Sequence, residues 1–247
     1  MSRILVTGAS TGLGLGAARE LLDQGHAVLV HARSAERAEE HLRDLIQRGA
    51  TLVTGDLADL DAVRGLVPQV ERLGGVDAVI HNAGVISGPS ILPVNVVAPY
   101  LLTALLPARR LVFLSSGMHR GGRASLTGLD WAGARATASY SDSKLMVTAL
   151  AAAVARIRPD VFSNAVDPGW VPTRMGGSGA PDDLELGHRT QAWLAAGEDP
   201  ATNASAYWFH QRQRQPHPSA RDEAFQDALL GALATRTGVR LGRSGPR

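Results

Sequence analysis

The sequence predicts an α/β protein, a doubly wound and mainly parallel β-sheet with helices on both faces, folded as a single domain. Three observations predict it. Six short apolar runs alternate with helix-patterned segments over roughly the first 173 residues. A glycine-rich turn joins the first of these runs to the first helix. No repeat, low-complexity stretch or linker interrupts the 247 residues, and 45% hydrophobic content is enough to fill a substantial core.

The elements follow in order. Residues 4–7 read as a buried strand running into Gly8-Ala9-Ser10-Thr11-Gly12-Leu13-Gly14, and Ala17, Ala18, Leu21 and Leu22 mark the apolar side of the next helix. Glycines between strand and helix let backbone N–H groups approach a pyrophosphate, and the helix N-terminus adds partial positive charge. The second strand, 27–31, ends without the acidic residue that would hold a ribose 2′-hydroxyl; Arg33 follows instead. An arginine there suits a 2′-phosphate and favours NADP(H) over NAD(H), or it opens the charged helix expected over 36–48. Strand 51–54 leads into Asp56-Leu57, where Asp56 either accepts from an adenine amino group or caps the helix through residues 63–73.

Strand 76–80 delivers His81-Asn82-Ala83-Gly84, small residues and an amide at a strand's carboxyl end, with His81 read as a packed histidine. Residues 94–106 read as a helix carrying Asn95 near its start and kinked by Pro99. Strand 111–114 presents Ser115-Ser116, and a looser stretch spans 117–138. A helix then runs from 140 to about 157, and strand 161–166 leads into Asp167-Pro168-Gly169-Trp170-Val171-Pro172-Thr173. Beyond it come a helix over 181–196, a short strand at 207–209, a polar loop over 211–218, a closing helix over 224–234 and a frayed tail at 242–247. Residues 174–240 are taken as the substrate-side region of the same domain. Trp131, Trp170 and Trp193 are candidate apolar walls, though core packing explains a tryptophan equally well.

The chemistry centres on Tyr140-Ser141-Asp142-Ser143-Lys144. At this spacing a phenol and an ammonium project from one helix face, where the cation favours the phenolate and lowers the tyrosine pKa. Lys144 is the sole lysine among 25 basic residues. Arginine serves wherever else a cation is needed, and its rigid fork would not replace the slim ammonium here.

Bulk properties exclude several classes. A net charge of +2 carries no nucleic-acid signature, and the absence of cysteine removes disulfides and thiolate catalysis. The N-terminal residues run straight into a strand pattern, leaving no room for a signal peptide, and no apolar run reaches the ~18 residues of a membrane span. The expectation is a cytoplasmic protein with no metal, nucleic-acid or membrane partner.

The ordered set Thr7-Gly8-x-x-x-Gly12-x-Gly14, Asn82-Ala83-Gly84, Asn95, Ser116, Tyr140-x-x-x-Lys144 and Pro168-Gly169 resembles the short-chain dehydrogenase/reductase family, of Rossmann type, in its compact single-domain form. The stretch from Ser115 to Leu145 is similar to retinol-dehydrogenase-like reductases and to bacterial polyketide ketoreductases. The resemblance implies an NADPH-dependent reductase of ketones or aldehydes, or the reverse alcohol oxidation, on an apolar, bulky substrate. It implies Tyr140 as general acid, Lys144 lowering its pKa, and Ser116 (with Ser115 as the alternative) aligning the carbonyl. Asn95 would anchor a water that links Lys144 to solvent.

For the cofactor it implies Gly8, Ser10, Thr11, Gly12, Leu13 and Gly14 at the pyrophosphate and Arg33 on the 2′-phosphate. Asp56, Leu57, Asn82, Ala83 and Gly84 would lie around the adenosine, Tyr140 and Lys144 at the nicotinamide ribose, and Pro168, Gly169, Val171 and Thr173 near the carboxamide. It also implies a homodimer or homotetramer. One departure stands out: Asn82 and Asn95 are 13 positions apart, where the family carries a further helix. That shortening either widens the cleft or misplaces Asn95, and it motivates a second reading, a non-catalytic NADP(H)-binding sensor or scaffold.

Overall fold

In the computed structural model, which describes residues 1–242, eight strands form one sheet. They are β1 (Arg3–Val6), β2 (Ala27–Ala32), β3 (Thr51–Thr54), β4 (Ala78–His81), β5 (Arg110–Leu114), β6 (Phe162–Asp167), β7 (Tyr207–Phe209) and β8 (Arg212–Arg214). Their spatial order is β3-β2-β1-β4-β5-β6-β7-β8. All neighbours pair in parallel except β7 and β8. The order reverses between β1 and β4, which opens a crevice at the carboxyl ends of these strands.

Strand alternation sends successive side chains to opposite faces and so builds two cores. Ile4, Val6, Val28, Val30, Ile80, Val112 and Val166 face one layer. There they meet α1 (Gly12–Asp23), α2 (Ala35–His41), α3 (Arg43–Gln47) and α7 (Leu184–Ala196). Leu5, Leu29, Val53, Val79, Leu111 and Phe113 face the other. That layer holds α4 (Leu60–Arg72), α5 (Ala98–Leu105), α6 (Tyr140–Ile157) and α8 (Glu223–Thr237).

Three expectations are refined. The helix expected over 36–48 is two helices that part at Leu42, where the backbone leaves helical geometry and the side chain is fully buried. The helix expected at 94–106 begins before Pro93 and passes through a π-turn, Pro93–Val97, into α5. Its wide turn has a reason in sequence: Pro99 has no N–H to give the Asn95 carbonyl, so a regular α-helical bond cannot form. The polar segment 211–218, expected as a loop, supplies β8. Arg212, Gln213 and Arg214 are all exposed, so no hydrophobic alternation announced a strand. His210 (φ 46°) and Gln211 (φ 59°) form the two-residue hairpin turn that both need the left-handed region. Of the tail, residues 243–247 lie outside the described residues. No described helix is long and apolar enough to cross a membrane.

Candidate active site

The loop from Gly8 to Gly14 is built close to the neighbouring strand ends. Gly8 (φ 64°) and Gly12 (φ 60°) take the left-handed conformation, which favours glycine. A Cβ on Gly8 would stand 2.8 Å from Ala83 Cα, and one on Gly12 3.1 Å from Thr173 Cγ2. One on Gly14 would stand 2.6 Å from the Gly8 carbonyl oxygen and collide with the Asn82 amide. The loop therefore gathers residues 82–84 and Thr173 around backbone alone. Thr11 caps α1 without a side-chain hydrogen bond, and Ser10 and Leu13 remain half-buried on the loop. A backbone-lined cradle at a helix N-terminus fits the pyrophosphate of a dinucleotide. Arg33 is exposed just past β2 and has no acidic partner within salt-bridge distance among the described residues.

Several residues do more local work than the sequence suggested. Asn82 turns its amide to the Thr7 and Gly8 carbonyls (2.9 and 3.2 Å), bracing the glycine loop. The Thr7 hydroxyl accepts the Asn82 and Ala83 N–H groups (3.0 and 3.1 Å). Asp56 accepts the Ala58 N–H at 2.9 Å; the cap of α4 is Asp59, not Asp56. Leu57 and Val171 have buried side chains, which leaves backbone at those points, and Pro168 is buried too. Gly169 (φ 83°) has no room for a Cβ, which would stand 2.6 Å from Asp182 Oδ2.

At the carboxyl ends of β5 and β6 the reactive groups converge. Tyr140 opens α6, and its phenol stands close enough to the Ser116 hydroxyl for that group to favour the phenolate. Ser115 instead turns its hydroxyl to Thr148 Oγ1 at 2.6 Å and is buried, so the strand's alternation separates the two serines. Lys144 is buried one turn below Tyr140, with Nζ 5.4 Å from the ring centroid. Its ammonium donates to the Leu114 carbonyl at 2.6 Å, and burial lowers it to about 8.

The expected depression of the tyrosine does not emerge from this arrangement. Burial pushes the Tyr140 phenol up to about 12, opposed by the Ser116 hydroxyl and reinforced by the charge of Asp167. Lys144 is committed to Leu114 rather than to the phenol.

Asn95 answers the question raised by the shortened segment. Its Oδ1 accepts the Val85 N–H at 2.8 Å, and its Nδ2 donates to the Val85 carbonyl and to Ser143 Oγ (2.9 and 3.0 Å). The short connection is thus clamped. A Cβ on Gly84 would lie 3.4 Å from Asn95 Oδ1 and 3.6 Å from Lys144 Nζ, so Asn95, Gly84 and Lys144 are gathered in one place.

Two functional neighbours escaped sequence reasoning. His31 Nδ1 accepts the Gly8 N–H at 3.1 Å and its Nε2 donates to the Gly55 carbonyl at 2.8 Å, tying the glycine loop to the exit of β3. His119 is fully buried in the 3₁₀ turn Gly117–Gly121. Its Nε2 accepts the His217 N–H at 2.9 Å, so Nδ1 donates to the Ser116 carbonyl at 2.8 Å. Neither had a local signal; partners 24 and 98 positions away in sequence define them. His81 is the packed histidine expected, stacked on Phe113 and bonded to Thr103 Oγ1 at 3.0 Å.

Of the tryptophans, Trp193 packs edge-on against Trp208 and Trp131 leans on the core, whereas Trp170 is 61% exposed. Ile86, Met118 and Met175 are exposed with it, on the loops that follow β4, β5 and β6. No group of three or more metal-ligating side chains occurs among the described residues.

Known proteins resemble this chain in sequence and fold. The short chain dehydrogenase profile matches residues 2–104. The short-chain dehydrogenase chyC of Penicillium rubens is 36% identical over 98% of this chain and 99% of its own. Human retinol dehydrogenase 13 is 28% identical over 96% of this chain and 84% of its own. A solved blue fluorescent protein from a metagenomic library, in complex with NADPH, superimposes with a TM-score of 0.68 at 24% identity, over 84% of this chain and 95% of that one. With the fold, the glycine loop and a full-length relative in agreement, the chain belongs to the short-chain dehydrogenase/reductase family and is an oxidoreductase.

Proposed function

We propose that this oxidoreductase reduces a ketone or aldehyde to an alcohol, or runs the reverse reaction, with NADP(H) and a Ser116-Tyr140-Lys144-Asn95 site. One observation carries the reading: a buried Lys144 lies 5.4 Å beneath the ring of Tyr140, whose phenol stands near Ser116. When bound, the nicotinamide cofactor supplies or accepts the hydride. Ser116 holds the carbonyl oxygen and stabilises the charge that develops on it. Tyr140, protonated at neutral pH, gives that oxygen its proton. Lys144 supplies positive charge beneath the tyrosine. The Asn95 side chain, bonded to Val85 and Ser143 and gathered beside Lys144, stands where a proton-relaying water would be held.

Arg33, exposed and free of acidic partners among the described residues, supports NADP(H) over NAD(H). The exposed apolar side chains Ile86, Met118, Trp170 and Met175 support an apolar substrate, with residues 174–240 contributing from within the same domain.

The test is NADPH consumption over a panel of aromatic ketones, quinones and aldehydes, with NADH in parallel. Tyr140→Phe should lower turnover by at least about a thousandfold while NADPH still quenches tryptophan fluorescence. Retained turnover in that variant would refute the role of Tyr140, and equal use of NADH would refute that of Arg33.

A further inference from the structure

The turn that delivers Ser116 is held by a part of the chain that no local motif connects to it. Ser116 caps the 3₁₀ turn Gly117–Gly121, its Oγ accepting the Met118 N–H at 3.2 Å. That bond occupies one lone pair and leaves the hydroxyl's own proton to be donated elsewhere. The Ser116 carbonyl accepts from both the backbone N–H and the Nδ1–H of His119 (3.0 and 2.8 Å). The direction of the hydroxyl therefore follows from how this turn is seated.

His119 seats it. Its ring is fully buried, and the partner of its other nitrogen is the His217 N–H at 2.9 Å. A backbone N–H can only donate, so Nε2 is an acceptor and the ring's one proton sits on Nδ1, facing Ser116. Burial lowers the His119 pKa, which favours this neutral ring. Tyr207 of β7 leans on it, with ring centroids 4.8 Å apart and its hydroxyl 3.3 Å from Nδ1. Arg120, next in the turn, donates to the Gln215 carbonyl at 2.7 Å. Hydrogen bonds from His119 and Arg120 thus lace the turn after β5 to residues 215–217 beyond β8. Pro216 and Pro218 flank His217 and stiffen that anchor.

We propose that His119 is a positioning residue for Ser116: its Nδ1–H, fixed in place by the His217 N–H, sets the turn so that the serine hydroxyl points at the oxygen of the bound carbonyl. The inference rests on Ser116 as the group that aligns that oxygen. Such a residue acts on turnover, because a donor displaced by a fraction of an ångström stabilises the developing charge less well. The glycine loop does not touch His119, so cofactor binding is independent of it. The C-terminal part of the chain thereby serves the site without meeting the substrate.

Two polar replacements separate the ring's two bonds. His119→Asn places an amide N–H near the Nδ1 position and keeps the donation to Ser116. His119→Gln places a carbonyl oxygen near the Nε2 position and keeps only the acceptance from His217. Each leaves one buried backbone group unpaired, so a difference between them is not a folding effect. With NADPH and an aromatic ketone or quinone as the probe carbonyl, His119→Asn should keep kcat within about threefold and His119→Gln should lower it at least about tenfold. The NADPH dissociation constant, read from tryptophan fluorescence, should stay unchanged in both. Ser116→Ala alone should lower kcat about 100-fold. Adding His119→Gln to it should cost nothing further, since no hydroxyl remains to be positioned. Equal losses in the two His119 variants, or a His119→Gln loss that persists in the Ser116→Ala background, would overturn the proposal and leave His119 a packing residue. Should His119→Gln fail to fold, His119→Ala carries the same comparison. Full turnover in Ser116→Ala alone would remove the reading of Ser116, and the proposal with it.

Discussion

At the scale of single residues, this protein repeatedly uses histidine as a neutral fork with a donor on one side and an acceptor on the other. Burial lowers the pKa of His31 and of His119, and each ring is oriented by two backbone groups of opposite polarity. For His31 the consequence is direct. Its acceptor nitrogen is what holds the Gly8 N–H, so the loop is fixed before any dinucleotide arrives. Removing the ring in His31→Ala loses two hydrogen bonds of about 1 kcal/mol each and loosens the loop. We expect NADPH to bind about 5- to 30-fold more weakly, by fluorescence titration, with Tyr140 chemistry otherwise intact. An unchanged dissociation constant would show that the loop needs no such tie.

At the scale of elements, α6 shows how sequence places a catalytic side chain. Ser139 caps the helix by accepting the Asp142 N–H at 3.1 Å, and Asp142 returns the bond to the Ser139 N–H at 3.0 Å. This capping box makes Tyr140 the first helical residue and so fixes the phenol's direction. Burial raises Asp142, but the Arg123 guanidinium and the Ser139 and Arg123 amides outweigh it and hold the carboxyl at about 2. The sign follows. The folded value lies below the ordinary aspartate value of 3.8, so the stabilisation is present above pH 3.8 and is lost as pH falls toward 2. Asp142→Asn should lower stability by about 1–2 kcal/mol at pH 7. In urea unfolding the gap to the parent protein should narrow by pH 3; a constant gap would show that the charge is irrelevant. Ser139 and Asp142 stand three apart before an apolar run, the spacing such a box requires. The π-turn was half-legible: Pro99 predicts a kink, but not that the wide turn would aim Asn95 at Val85 and Ser143.

At the scale of the molecule, topology was legible wherever a strand is apolar and a helix follows it, through β6. Past Thr173 the reading still finds α7, β7 and α8 but misses β8, for a physical reason. β8 is an exposed edge strand of arginine and glutamine, which resists pairing with other sheets and leaves no hydrophobic period to read. Nor does a pattern say that α7 joins α1 on one face while α8 packs on α6 across the sheet. The site inherits the same limit: its glycine loop, tyrosine and lysine are local motifs, whereas Tyr207 and His217 reach it only after the chain has crossed both layers.

One property belongs to the whole fold. His81 is buried at the sheet's centre on Phe113, its Nδ1 has no hydrogen-bond partner, and burial lowers it to about 3. In the unfolded chain it titrates near 6.5. The folded value is depressed, so its contribution is complete above pH 6.5 and drains away as pH falls toward 3, by up to about 4 kcal/mol. His31 and His119 add to the same slope, both being lowered by burial. His81→Phe keeps the stacking on Phe113 but forfeits the Thr103 bond, so it should be less stable than the parent at pH 7 by about 1 kcal/mol. Between pH 6.5 and 4 its urea midpoint should then fall less steeply than the parent's, and the two curves should converge or cross. Parallel curves across that range would mean that His81 takes up its proton without unfolding the sheet, and that the acid sensitivity lies elsewhere.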